Sequence, residues 1–175
     1  VDVYGFGPIM AKDRPVPAFL DSVGVQEDIG RARPLADIVV ISVHWGTEYV
    51  DHPTERQTAF AHLMIDSGAD IVIGHHPHVL QSIEKYKGKF IFYSLGNFVF
   101  DQPHLPERES VIFSCVFRDG RIISPCVKPV FMLEKAFRPV FPDCVEAKNL
   151  TERMKKISDG MGVKFRDGDT VLYLE

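Results

Sequence analysis

Two short apolar runs in this chain end in histidine. Asp37-Ile-Val-Val-Ile-Ser-Val43 stops at His44-Trp45-Gly46, and Asp70-Ile-Val-Ile73 stops at Gly74-His75-His76-Pro77-His78. β-Branched runs of this length, closed by Gly and Pro, predict buried strands of a mostly parallel sheet. Between them, Phe60, Leu63, Met64 and Ser67 recur at helical spacing across residues 54–67, and Gly68 suits the position just past the last turn. Either Pro53 occupies the first helical position, or Thr54 caps the helix with Gln57 three residues on. The unit therefore reads strand, helix, strand. A crossover helix returns the chain to the same end of the sheet, so both strands run in one direction. His44 and the cluster from His75 to His78 are then expected at one carboxyl edge, where open α/β sheets bind their ligands.

The flanking patterns are coarser. Residues 1–7 read as a strand, and Pro8, Pro15, Pro17 and Gly24 predict a loop leading to a helix over 26–33, with Ile29 and Ala32 inward and Pro34 ending it. Downstream, 79–85 alternates apolar and polar, Lys87-Gly88 turns, and 89–94 returns as the second arm of a hairpin. That arm runs into Leu95-Gly96-Asn97, where Gly96 permits a sharp bend and Asn97 can reach the histidine edge. Residues 102–109 read as a polar loop. A second hairpin is predicted over 111–117 and 121–127, turning at Asp119-Gly120, with Pro125 and Pro129 assigning its return strand to a sheet edge. A helix over 145–158, with Leu150, Met154 and Ile157 on one face, and a strand over 171–174 complete the pattern. No repeat and no second domain emerge, so residues 1–175 are read as a single domain.

Composition narrows the classes. A chain of 175 residues, 45% hydrophobic and 25% charged, can bury a core. A net charge of -4 without a basic stripe excludes an ordinary nucleic-acid binder. No apolar run approaches the roughly 20 residues of a membrane helix, and no targeting signal is visible. The chain begins at Val1 in what reads as the middle of a fold, so it is expected to be a piece of a longer protein. A membrane segment would then lie only in a missing N-terminal part. The cysteines Cys115, Cys126 and Cys144 are odd in number and are read as free thiols.

The histidines carry the candidate chemistry. Neutral imidazole is the commonest ligand for transition metals. His76-Pro77-His78 presents two rings from one loop that Pro77 stiffens, and His44 ends the neighbouring strand. His52, His62 and His104 are expected at the surface. Trp45 either lines the site or packs beneath it. Glu48 is a carboxylate partner, a general base or a solvated charge, and Asn97 offers an amide to a metal or phosphate oxygen or else stabilises a turn. A two-metal hydrolytic site also needs carboxylates, one of them bridging the ions. None is evident at a strand end over 37–101, and Asp2 lacks an obvious partner.

His44-Trp-Gly-Thr-Glu-Tyr49, Gly68-Ala-Asp-Ile-Val-Ile-Gly-His-His-Pro-His-Val79 and Tyr93-Ser-Leu-Gly-Asn-Phe98 resemble the bacterial CapA family of capsule and poly-gamma-glutamate biosynthesis proteins. That resemblance runs from about Ile29 to Asp101, with weaker similarity to Pro129. It implies an α/β fold, a mixed-sheet αββα sandwich of the calcineurin-like metallophosphoesterase type, of which this chain would be the C-terminal portion. It implies divalent metal ions (Mn, Fe or Zn) held by His44, His76 and His78, with His75 ranked below them and Glu48 and Asn97 as catalytic candidates. The family's earlier acidic and Asn-His motifs are not found in residues 1–36, so the isolated chain is expected to be a poor catalyst. The implied role is metal-dependent phosphoester hydrolysis in a bacterial cell envelope. The alternative is a non-catalytic subunit that binds the envelope polymer or other proteins of its synthesis and export machinery.

Overall fold

The structure, a computed structural model, describes residues 20–134 and 136–175. The strand expected over 1–7, with Asp2, lies outside the described residues. Helix α1 (Ser22–Ala32) begins earlier than its periodicity suggested, because the Asp21 side chain caps it by accepting from the Val23 and Gly24 N–H groups. A 3-10 turn through Pro34 ends it. Strand β1 (Val40–His44), helix α2 (Glu55–Asp66) and strand β2 (Ile71–His75) form the expected crossover. Thr54 caps α2 in a reciprocal capping box with Gln57, which decides between the two predicted starts.

β1 and β2 pair in parallel with His44 opposite His75. The hairpin β3 (Ile83–Tyr86) and β4 (Lys89–Phe92) joins the same sheet, but β4 is the inner strand, parallel to β2, giving the order β1-β2-β4-β3. Along each strand successive residues face opposite sides. Val72, Ile91 and Tyr93 meet Ile29, Ala61, Met64 and Ile65 of the two helices, while Ile71, Phe90 and Phe92 turn to a second core. Full burial of a side chain such as Met64 stabilises by about 1.5–3 kcal/mol.

That second core lies against an antiparallel sheet. After the one-turn helix α3 (Leu105–Arg108) come β5 (Glu109–Arg118), β6 (Arg121–Met132) and β7 (Pro139–Val140). Helix α4 (Cys144–Ile157) and strands β8 (Phe165–Asp167) and β9 (Leu172–Leu174) follow. The order is β5-β6-β9-β8, with β7 also on β6. Leu150, Met154 and Ile157 of α4 enter the core as their spacing predicted. The prediction that Pro125 and Pro129 put β6 at an edge is wrong, because β6 is central. Pro125 adjoins the irregularity opposite Cys115, and Pro129 falls between the segments that β9 (Cys126–Val127) and β7 (Phe131–Met132) occupy. Neither missing N–H is needed there. The three cysteines are free. The architecture is thus α/β with a mixed sheet packed on an antiparallel one. Among the described residues no helix is long and apolar enough to cross a membrane.

Candidate functional site

The register of β1 and β2 is anchored at the end opposite the histidines. Buried Asp70 accepts from the Val39 N–H at 2.8 Å, from Arg33 Nη1 at 2.6 Å and from Lys89 Nζ at 2.6 Å. Burial works against its charge, but Lys89, the Val39 N–H and Arg33 together hold its carboxyl below the usual range. At the carboxyl edge the strands separate into two loops that remain tied. The Trp45 N–H donates to His75 O at 3.0 Å, and the Tyr49 N–H donates to Pro77 O at 2.8 Å. Trp45 is buried and its indole N–H donates to Tyr93 O at 3.0 Å, so it packs beneath the site. Only glycine fits between them: a Cβ on Gly74 would lie 2.0 Å from Tyr93 O and 2.4 Å from Trp45 Nε1.

The loop after β1 is held by two buried amides. Gln57 donates to Gln81 Oε1 at 2.9 Å, and Gln81 Nε2 donates to Val50 O at 2.8 Å and His52 O at 3.1 Å. This clamp returns Glu48 to the histidines, where its Oε1 lies 4.0 Å from His78 Nε2. Glu48, His76 and His78 each offer a donor atom, and these atoms lie within 4.8 Å of one another. The His44 and His76 rings are 4.7 Å apart, and those of His76 and His78 are 6.0 Å apart. His75 and His44 join them around a cavity of about 400 Å³, walled by Leu95, Gly96, Asn97, Phe98 and Val99 and by Ser110 and Val111 of the second sheet. His76 and His78 adopt left-handed backbone conformations (φ 105° and 60°), a local strain typical of functional loops.

Electrostatics favour neutral rings. Burial, followed by the neighbouring His78, lowers the pKa of His44, and burial, followed by His44, lowers that of His75. Burial and then His44 also lower that of His76, with Glu48 pulling the other way. His76 Nε2 is buried and has no hydrogen-bond partner among the described residues. A buried polar nitrogen without a partner is costly, and two imidazoles and a carboxylate with donor atoms within 4.8 Å of one another make a set that fits a divalent transition metal.

Asn97 arrives on the turn after β4 and is buried against the loop. His78 Nδ1 bonds its Oδ1 at 2.9 Å, and its Nδ2 donates to His78 O at 3.1 Å and Glu107 O at 3.0 Å. His52 and His104 are exposed, as expected. His62 is not simply at the surface: half-buried, it stacks on Tyr86 with ring centroids 3.7 Å apart and bonds buried Glu84 at 2.8 Å, pinning α2 to the sheet. Glu84 also accepts from the Tyr93 hydroxyl, whose pKa burial and Glu84 push far up. The Gln57–Gln81 clamp and the Asp70 anchor escaped sequence reasoning. Their only sequence signals were a capping position and a polar residue opening an apolar run.

A family model described as Bacterial capsule synthesis protein PGA_cap matches residues 7–102, which include every site residue from His44 to Asn97. The chain is 41% identical over 143 residues to the capsule biosynthesis protein CapA of Bacillus anthracis, covering 79% of this chain and 35% of that protein. It is 40% identical over 167 residues to the PGA biosynthesis protein CapA of Bacillus subtilis, covering 95% of this chain and 44% of that protein. A Mycobacterium tuberculosis protein described as "Probable polyglutamine synthesis accessory protein" is 40% identical over 74 residues, 42% of this chain and 20% of that protein. The chain therefore spans less than half the length of these relatives. With the family model matching more than half of its residues, the chain belongs to the bacterial capsule synthesis protein family PGA_cap.

Proposed function

We propose that this chain supplies the histidine side of a metal-dependent phosphoesterase-like hydrolase site in a protein of capsule or poly-gamma-glutamate biosynthesis. In this reading residues 1–175 are one domain unit, the C-terminal portion of a larger metallophosphoesterase-fold domain. The observation that carries it is the convergence of one donor atom each from Glu48, His76 and His78 to within 4.8 Å of one another. His76 and His78 hold the ion, His44 stands beside them, and His75 lines the rim. Two imidazoles and a carboxylate suit Mn, Fe or Zn better than Ca or Mg. A bound divalent ion would supply charge to polarise a phosphoryl oxygen. Exposed Glu48, with Oε1 4.0 Å from His78 Nε2, either completes the ligand set or takes a proton from an incoming nucleophile, and Asn97 belongs to the same site. Leu95, Val99 and Val111 give one wall of the cavity an apolar lining. Further carboxylates would come from the longer protein.

Metal analysis of the purified chain tests the site. Wild-type protein is expected to retain Mn or Zn after desalting, and His76→Ala and His78→Ala to lose it; equal metal content in all three would sink the reading. The word "accessory" in one relative's name favours a second reading, a non-catalytic subunit that binds the envelope polymer or its synthesis proteins. The full-length protein with manganese and an aryl phosphate separates the two. Hydrolysis that His76→Ala abolishes supports the enzyme, and a loaded site without hydrolysis supports the binding subunit.

A further inference from the structure

Asn97 has no free amide hydrogen to offer a substrate, because its Nδ2 donates to two backbone carbonyls. Its amide orientation is settled by its surroundings: one end faces two backbone carbonyls, His78 O and Glu107 O, at 3.1 and 3.0 Å. Carbonyl oxygens only accept, so the NH₂ must point there and Oδ1 must point at His78. The atom 2.9 Å from Oδ1 is His78 Nδ1, and an amide oxygen also only accepts. His78 Nδ1 therefore carries a proton. In the neutral ring the other nitrogen, Nε2, is bare, and Nε2 is the atom that faces Glu48.

From this we infer that Asn97 is a positioning residue that fixes the tautomer and orientation of His78, presenting the Nε2 lone pair to the Glu48–His76 cluster. Three segments converge to make this possible. Gly96, at φ +73°, brings its backbone so close to Glu109 O that a Cβ would lie 2.4 Å from it, and Gly96 bridges to Ser110. This draws Asn97 under the end of α3, where the Glu107 carbonyl lies. Asn97 also accepts from the ring of His78 while donating to the carbonyl of the same residue. It thus holds both the side chain and the left-handed backbone (φ 60°) of one histidine. A histidine ligand needs such a partner on its second nitrogen to keep the first one bare and aimed.

The ring state can be read on the metal-free chain, so this step does not depend on the hydrolase reading; only the consequence for metal affinity rests on it. Long-range ¹H–¹⁵N correlation spectra of histidine-labelled protein at about pH 8, above the ordinary imidazole range, separate the two tautomers. Wild-type His78 is expected as the Nδ1–H form, and Asn97→Ala is expected to move it toward the Nε2–H form that free histidine favours. Titration with manganese is expected to show about a 10- to 100-fold weaker affinity in Asn97→Ala. His78 found as Nε2–H in the wild type overturns the inference, as does an unchanged tautomer in a folded Asn97→Ala. The wild-type spectrum decides alone if that variant does not fold. A shifted tautomer with unchanged manganese affinity overturns the metal half of the inference. Wild-type protein that binds no manganese yet shows the Nδ1–H form removes the proposed function and leaves the positioning role of Asn97 standing.

Discussion

The histidine edge depends on one missing side chain. A methyl group on Gly74 would meet Tyr93 O at 2.0 Å and Trp45 Nε1 at 2.4 Å. The first obstacle is backbone of the neighbouring strand and the second is a buried, hydrogen-bonded indole, so neither can yield by a rotamer change. Gly74→Ala is expected to cost about 3 kcal/mol in urea unfolding, and a shift within about 0.5 kcal/mol would show that the approach is looser than described. At this scale the sequence was informative about the imidazoles, because a histidine at the end of a β-branched run can only emerge at the strand's carboxyl edge. Glu48 was left open between a site role and a solvated charge. Its placement depends on Gln57 and Gln81, which are distant in sequence and meet only after the crossover has formed. The duty of Asn97 was likewise hidden, since it is defined by two carbonyls that no pattern marks.

Secondary elements show the same division between local and long-range information. Helix α2 was legible down to its capping box, because the signals lie within a few residues of one another. The hairpin of β3 and β4 was legible too, but not the insertion of β4 beside β2, which leaves β3 at the edge. The central place of β6 was misread because the proline rule assumes one continuous partner, whereas β9 and β7 each cover only part of that side. The segment between β1 and α2 has no regular structure of its own and is held by the two glutamines together with the Trp45 and Tyr49 N–H bonds to the facing loop. Gln81→Leu is expected to release the carbonyls of Val50 and His52 and to strand the Gln57 amide in a buried position. The expected cost is about 1–3 kcal/mol of stability. Metal affinity should also weaken, because the freed loop carries Glu48. Unchanged affinity in Gln81→Leu would mean that Glu48 is held at the site by something other than this clamp.

Taken whole, the molecule places its site on the seam between two cores, where the Gly96–Ser110 bridge and the Val111 N–H bond to Leu95 O tie the end of the mixed sheet to the start of the antiparallel one. It also carries two charge devices at opposite ends of β2, and these predict a stepped response to acid. His44, His75 and His76 have folded pKa values below the ordinary 6.5, so between those values the unfolded chain binds more protons than the folded one. Stability of the metal-free chain therefore falls as pH drops from about 6.5 through the lowered values. Asp70 is lowered from 3.8, so its contribution is intact above that value and is lost only as pH falls through its own depressed pKa. Urea midpoints measured across the acid range should show both declines. Asp70→Asn should lower stability at neutral pH by about 2–3 kcal/mol, since it leaves Arg33 and Lys89 without their shared anion. It should also shrink the lower decline, which the lowered carboxyl of Asp66 shares, and leave the upper one in place. Manganese should raise the midpoint at about pH 7, because an ion that binds only the folded chain stabilises it by mass action, and should lose that effect by about pH 5, where protons compete for the imidazoles. A midpoint that is flat between those two values in the metal-free chain would show that the three rings are as solvated when folded as when unfolded, and the case for a pre-formed neutral cluster would fail with it.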